Sequence, residues 1–355
     1  MTSFLRELGL IAVLGCCSSC GEHSVDLDQA APQLTSAGAS GTGAVQSLDL
    51  RHFIDKFLVD DGRVFAQIES TRAESCVFEQ CASTQIDLGL PVAHSLAAVD
   101  ADDVYFDQWL THGLSGAIEL LRCPPSGCKS GAVKVFEDEF DSNPGWPIAM
   151  DEKYVYWSSI FDLLRCPLTG CKEVPELVAK GEGGVAQIDL SSDRVYYVGF
   201  DQVLRAAAVR SVPKDGSAPP TALARVGTVG AASGVRVDAM NAYWLDVETQ
   251  HIQSCPLTGC GGSPTTLVAT DTPKDSLKVD AAGLYWIDGT GQAQSVRFCP
   301  LAGCRAGTQP VPLVPAAVRQ YELDSNYVYW TETGDANELD VFNTVHRVAK
   351  PKPAN

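Results

Sequence analysis

Ten of the thirteen cysteines stand in five C-x4-C pairs: Cys76/Cys81, Cys123/Cys128, Cys166/Cys171, Cys255/Cys260 and Cys299/Cys304. Four of these enclose a Pro and a Gly, as in RCPLTGCK at 165–172. Thiols at this spacing can hold a metal, cycle as a redox dithiol, or close as a disulfide. Zinc takes four ligands, and pairs carried by five separate repeats cannot meet two by two. None of the five pairs has the C-x2-C spacing of a redox motif at a helix start. The stretch SVPKDGS (211–217) has Val212 and Ser217 at the cysteine positions yet keeps Pro213 and Gly216, and RVAKPK near the end has no cysteine. A turn that forms with or without its pair does not need a metal. The reading is a disulfide within each repeat, bridging the hairpin from its third to its fourth strand. Each adds about 2 kcal/mol at most by chain entropy.

Aspartates form the second recurring set. Asp60, Asp100, Asp151, Asp238, Asp280 and Asp324 each precede an aromatic by five positions, and Ser191 takes the place in a seventh copy. Gathered carboxylates could do acid–base work. These fall one per repeat at a strand-to-strand turn, where an Asp side chain accepts the turn's own N–H groups and Ser does so more weakly. Their expected role is structural. The Tyr and Trp residues of the same motif are expected to bury large areas between repeats.

The elements that must position these residues follow from the period. The aromatics stand at 65, 105, 156, 196, 243, 285 and 329, about 44 residues apart. One unit reads as four short strands: GVRVD (234–238), AYWLD (242–246), HIQSCP (251–256) and TTLVAT (265–270). Four strands per unit, repeated radially, describe a β-propeller blade. The V-Y-W runs suit strands covered on both faces. The last unit stops after its third strand, NTVHRVAK (343–350), and AVQSLDL (44–50) can supply the fourth. A blade shared by both ends removes the open edge. The expectation is an all-β, seven-bladed propeller of four-stranded antiparallel blades over 44–351, with six blades as the alternative.

YWLD (243–246), YWID (285–288) and YWTE (329–332) resemble the YWTD repeats of LDL-receptor-type β-propellers, and the CPLTGC turns resemble those of propeller lipoproteins from myxobacteria. The resemblance covers about 44–350 and implies a fold, not a ligand. YWTD propellers typically have six blades where seven are counted here, and only three copies keep the acid.

The formal charge of −18 argues against nucleic acid or an anionic membrane surface as partner, since both call for clustered Lys and Arg. Paired cysteines point outside the cytoplasm. The apolar run LGLIAVL (8–14) is too short to span a bilayer, and Val13-Leu14-Gly15-Cys16 resembles a bacterial lipobox, with Cys16 as the lipid anchor. An ordinary signal peptide or a misplaced start are the alternatives. The expected layout is a signal peptide at 1–15, a flexible tether at 16–43 spanning about 25–30 Å, and one propeller. The setting is the bacterial cell envelope, with the membrane touched only through the anchor.

In such a blade the Asp and Cys turns share one face. Variation lies on the other, where binding is expected. There FDQWLTHGLSGA (106–117) and FEDEFDSNPGW (136–146) read as long loops of the second blade, and TETGDANELDVFN (331–343) as one of the seventh. Residues leading into the innermost strands, His94, Trp146, Gln187, Ser233, Asp275 and Arg319, should ring the channel mouth, with Trp109 as a further exposed contact. Glu137, Asp138, Glu139 and Asp141 could offer oxygens to Ca²⁺, though a solvated loop is the plainer reading. There is no HExxH, G-x-S-x-G, P-loop or Cys–His pairing, and His23, His52, His94, His112, His251 and His346 are scattered. These features favour a binding or scaffold protein for a protein or glycan, without cofactor or metal. A hydrolase, lyase or lactonase working in the channel is the rival, and a structural envelope component the third reading.

Overall fold

The structure is a computed structural model. It describes residues 33–37 and 44–351, apart from 90–93, 113–114, 141–147, 160–161, 172–173, 182–184, 202–204, 228–231, 271–275, 302–303, 305–309, 315–316 and 334–342. Along 33–37, 109–112, 115–116 and 138–140, and at 130, 186 and 201, only the backbone is described.

Seven antiparallel sheets succeed one another along the chain, six ordered as their strands occur in sequence and the seventh joining strands from both ends of the chain. Blade 1 begins with Ile54–Asp60, blade 2 with Ser95–Val99, blade 3 with Ile148–Met150 and blade 4 with Ala186–Leu190. Blade 5 begins with Ala232–Val237, blade 6 with Lys278–Val279 and blade 7 with Val318–Leu323. These first strands lie innermost, and those of neighbouring blades touch, as blades 7 and 1, 1 and 2, 3 and 4, and 4 and 5 do. The chain is a seven-bladed β-propeller.

Closure takes the form the sequence suggested. Val45–Asp49 completes blade 7 by pairing with Thr344–Ala349, from Gln46↔Arg347 to Asp49↔Thr344. Ser47 Oγ meets His346 Nδ1 at 2.7 Å, and Arg347 Nε donates to Gln46 Oε1 at 2.7 Å. The Arg347 guanidinium also lies 4.3 Å from the Phe78 ring of blade 1 and 4.1 Å from that of Tyr327. Within the stretch expected as a tether, Gln33–Ala37 pairs with Val45–Asp49 as a fifth strand.

The core lies between blades rather than within one. Side chains alternate along a strand, so adjacent aromatics of the second strand serve opposite neighbours. Trp157 packs towards blade 2, stacked on Phe136 at 4.0 Å and 4°, while Tyr156 joins Leu190, Val195 and Tyr197 of blade 4. Both are fully buried. This is why the V-Y-W runs need no polar alternation. Gly283 is a packing requirement of another kind: a Cβ there would stand 2.5 Å from the Phe298 ring and 2.3 Å from the Cys299 carbonyl.

Blade 2 departs from the loops expected of it. Residues 106–112 extend the second strand, Val104–His112, and 115–117 begin the third, Ser115–Cys123, with pairing carried out to His112↔Ser115. The acidic run 136–140 belongs to the fourth strand, Val133–Phe140, which follows the third to Phe140↔Gly116. Polar residues mislead here because an extended ribbon with solvent on its sides tolerates them. An extended backbone through 140 also replaces the loop from which Glu137, Asp138 and Glu139 would converge on Ca²⁺. The Glu137 carboxylate instead accepts from Lys134 at 2.7 Å. Asp141 lies outside the described residues.

Candidate functional site

The motif aspartates are absorbed by their turns. Asp238 Oδ1 accepts from the N–H groups of Met240 and Asn241, both at 2.7 Å, and its Oδ2 accepts the Tyr243 hydroxyl at 2.7 Å. Asp100, Asp151 and Asp324 repeat the arrangement with Tyr105, Tyr156 and Tyr329. Ser191 accepts only from Arg194 N–H, at 3.1 Å. The five-residue offset from Asp to Tyr is thus a hydrogen bond, which the sequence showed only as a spacing. Burial, then the neighbouring carboxylate, pushes the hydroxyls of Tyr105, Tyr156, Tyr243 and Tyr329 well above the ordinary tyrosine range. Tyrosine hydroxyls that keep their protons, donating to aspartates that also hold the turn, are a structural pairing.

The cysteine turns share that face. Each pair is a disulfide within its own blade. The Cα atoms of Cys76 and Cys81 are 4.8 Å apart, those of Cys123 and Cys128 5.0 Å, and those of Cys166 and Cys171 5.3 Å. Cys255 and Cys260 stand 5.5 Å apart, and Cys299 and Cys304 5.6 Å. All five lie inside the disulfide range.

The placement of the second cysteine corrects the expected staple between third and fourth strands. The first cysteine of every pair does lie at the end of a third strand, such as Arg72–Val77 or His251–Pro256. The second stops short of the fourth strand. Cys81 opens the single helical turn Cys81–Thr84, and Cys128 opens the 3-10 turn Cys128–Ser130. Cys171, Cys260 and Cys304 belong to irregular backbone ahead of the strands that begin at Glu176, Thr265 and Val311. The reason is where the backbone donors go. The N–H groups of Cys128, Cys171 and Cys260 reach the preceding blade, at the carbonyls of Leu88, Val135 and Leu223, 2.6, 2.9 and 3.1 Å away. That of Cys304 stays within its turn, on the Pro300 carbonyl at 3.1 Å. Each bond thus closes the turn onto its third strand and leaves three of the turns tied to a neighbouring blade.

In the two blades without cysteines a lysine reaches the neighbour instead. Lys214 Nζ donates to Asp151 Oδ2 at 2.7 Å, and Lys350 Nζ to Asp280 Oδ2 at 2.5 Å.

On the opposite face the expected channel residues meet different fates. Arg319 sits on a bulge of blade 7's first strand, and its Nη1 and Nη2 donate to the Ile54 and Asp55 carbonyls of blade 1 at 2.6 and 3.3 Å. Gln187 occupies the corresponding bulge of blade 4 with a φ of 54°, and its buried Oε1 has no partner among the described residues. Ser233 stands beside the bulge of blade 5, paired with Leu245. Trp109 is paired with Ile118 in the blade 2 ribbon, its side chain outside the described ones. Trp146 and Asp275 lie outside the described residues. Blade 1 separates Arg319 from His94, so these two do not form one constellation.

His94 does have polar company. It is 5 % exposed, and its Nε2 lies 3.5 Å from Glu119 Oε2. Lys134 Nζ stands 3.6 Å from the other oxygen of Glu119 and 2.7 Å from Glu137 Oε2. Burial pushes the nearby Asp107 carboxyl up, against the opposing pull of Lys56 and His94. Asp107, Glu119 and Lys134 come from three successive strands of blade 2, with Glu119 as the link between the histidine and the lysine. The signal in the sequence is a pair of acids, in FDQ and IEL, that interrupt otherwise apolar strand runs. The cluster sets an imidazole beside carboxylates at the base of the ribbon, and among the described residues no group of three His, Cys, Asp or Glu is placed to hold a metal ion.

No protein-family model matches this chain, and no curated protein matches it. Solved structures do. Selenomethionine-substituted virginiamycin B lyase from Staphylococcus aureus is 12 % identical, with 86 % of this chain and 99 % of that one covered at a TM-score of 0.56. The computationally designed Ika8 protein is 8 % identical, with 84 % and 96 % covered at 0.53. BamB from Moraxella catarrhalis is 11 % identical, with 91 % and 99 % covered at 0.50. At these identities the likeness shows the propeller fold alone. That a lyase and a designed protein share it illustrates how little the fold says about chemistry.

Proposed function

We propose that this chain is an exported, lipid-anchored propeller that binds a protein or glycan partner, without chemistry of its own, on the face opposite the Asp and Cys turns. The observation that carries the reading is the blade 2 ribbon. Its three outer strands of nine, nine and eight residues run well past the five-residue first strand Ser95–Val99. A ribbon standing beyond the ring offers side chains and an open outer strand to a partner. Trp109 lies on it, with Trp146, Gln187, Asp275, Arg319 and His94 as the remaining candidates on that face. Five disulfides support a location outside the cytoplasm. Among the described residues no helix is long and apolar enough to cross a membrane, and the reading assigns attachment to Cys16 after removal of 1–15. Cross-linking from the native cell surface is the test. Trp109→Ala together with Trp146→Ala should abolish capture of the partner by a folded propeller, and undiminished capture would show that the face is wrong.

A second reading, a channel hydrolase, lyase or lactonase, draws on the His94–Glu119 contact beside Asp107. It requires stoichiometric metal in the purified protein, or a turnover that His94→Gln removes.

A further inference from the structure

The turn face, which the sequence marks as structural, holds a cleft of about 790 Å³ between blades 3 and 4. That volume lies within the range of small-ligand sites. One residue distinguishes its seam. In three of the cysteine turns the residue after the proline is a leucine that packs against the preceding blade: Leu168 against blade 2, Leu257 against blade 4 and Leu301 against blade 5. The seam at Leu257 keeps a smaller cleft of about 420 Å³. In blade 4 the same place holds Lys214. Its amine reaches Asp151, lies 5.7 Å from the Tyr156 ring, and leaves the seam polar. Hydrogen bonds from Lys214 and from the Lys153 and Tyr154 N–H groups outweigh burial and hold the Asp151 carboxyl below its usual range.

We infer that this cleft binds a neutral oligosaccharide. Its lining balances four carboxylates, Asp151, Glu152, Asp193 and Asp215, against four cations, Lys153, Arg165, Arg194 and Lys214. The whole chain carries −18. A locally balanced wall favours a ligand that both donates and accepts hydrogen bonds and brings no charge, as vicinal hydroxyls do. Suitable partners face the space. Arg194 spends its Nε and Nη2 on the single Ser211 hydroxyl, at 3.2 and 3.0 Å, and makes no ion pair among the described residues. Asp193, exposed, takes the Ser191 hydroxyl at 3.0 Å and has oxygens to spare. The cleft is bounded by turns and strand ends rather than an open strand edge, so a peptide backbone has nothing to pair with.

The inference rests on the reading of this chain as a binding protein, but not on the ribbon face. The experiment is a screen of the purified full chain against an array of neutral and acidic oligosaccharides, followed by titration calorimetry with the best neutral tetrasaccharide. Binding is expected to change less than twofold between 50 and 500 mM NaCl. Lys214→Leu, which restores the leucine of the sister blades, should weaken it at least tenfold, as should Asp193→Asn, an exposed change that leaves the core untouched. Absence of any neutral binder, preference for acidic sugars with strong salt dependence, or wild-type affinity in both variants would overturn the inference. Capture through Trp109 and Trp146 should persist in Lys214→Leu, so failure of the cleft and failure of the ribbon are distinguishable.

Discussion

Asp238→Ala isolates the turn architecture from any chemistry. Asp238 and Tyr243 lie in a blade whose Asp has no lysine attached, and three donors converge on the carboxylate: Met240 N–H, Asn241 N–H and the Tyr243 hydroxyl. Tyr243 is only 4 % exposed, so its hydroxyl has little water to turn to. Stranding it costs about 1–3 kcal/mol, and losing the two charge-assisted turn bonds, half-open to solvent, about 1–2 more. A total of about 2–5 kcal/mol corresponds to a melting shift of about 3–8 °C for a domain of this size. Asp238→Asn keeps an acceptor for the N–H groups and offers its NH₂ to the tyrosine oxygen, so it should cost about 1 kcal/mol. In a double-mutant cycle, Asp238→Ala with Tyr243→Phe should fall short of additivity by about 1 kcal/mol. Near-ultraviolet circular dichroism of thermal unfolding, with disulfides intact, reads all five proteins. Melting of Asp238→Ala within 2 °C of the parent, or an Asn variant as damaged as the Ala variant, would refute the reasoning.

Other outcomes follow from the same geometry. The raised tyrosine hydroxyls keep their protons in the folded state where the unfolded state begins to lose them, near pH 10. Stability is therefore whole below pH 10 and falls above it, by at most about 1.4 kcal/mol per pH unit for each of Tyr105, Tyr156, Tyr243, Tyr285, Tyr321 and Tyr329. Absorbance titration should show these six of the ten tyrosines ionising only as the protein unfolds. Replacing Cys255 and Cys260 together by Ser should cost about 2 kcal/mol at most, and non-reducing mass spectrometry of the parent should find every C-x4-C pair closed within one peptide. Arg319→Ala removes the tie from blade 7 to the Ile54 and Asp55 carbonyls. It should cost about 1.5–3 kcal/mol and speed amide exchange in Ile54–Asp60 and Val318–Leu323 more than in blades 3 to 5.

What was legible in the sequence was local or periodic. The Asp turns, the cysteine pairing and the shared seventh blade all follow from spacings within a unit of about 44 residues. What depended on register or on a neighbouring blade was not legible. Cys128, Cys171 and Cys260 read only as members of their own turns, yet their N–H groups bond across the seam to the blade before. Asp107, Glu119 and Lys134 come from three successive strands, and Glu119 links His94 to Lys134 only in the fold. The run FDQWLTH read as a loop since Asp107, Gln108, Thr111 and His112 break its apolar pattern, yet each has a residue opposite it in Ser115–Cys123. Lys214 looked like part of a degraded cysteine turn. Only the packing of Leu168, Leu257 and Leu301 shows that its place lies between blades. Gly283 likewise carries no meaning until the Phe298 ring is seen in the space of its missing side chain.

The strand that closes the ring also sets a clock on folding. Ser47 and His346 are 299 residues apart in the chain and hydrogen-bonded in the fold. At roughly 5–20 residues per second of synthesis, Val45–Asp49 waits on the order of 15–60 s before its partner strand exists. Through that interval six blades can stack while both flanks of the arc stay open, each with an unpaired strand edge able to join another chain. The molecule is thus most exposed to misassembly just before completion, and whatever guards it must act on an arc of propeller rather than on an unfolded chain.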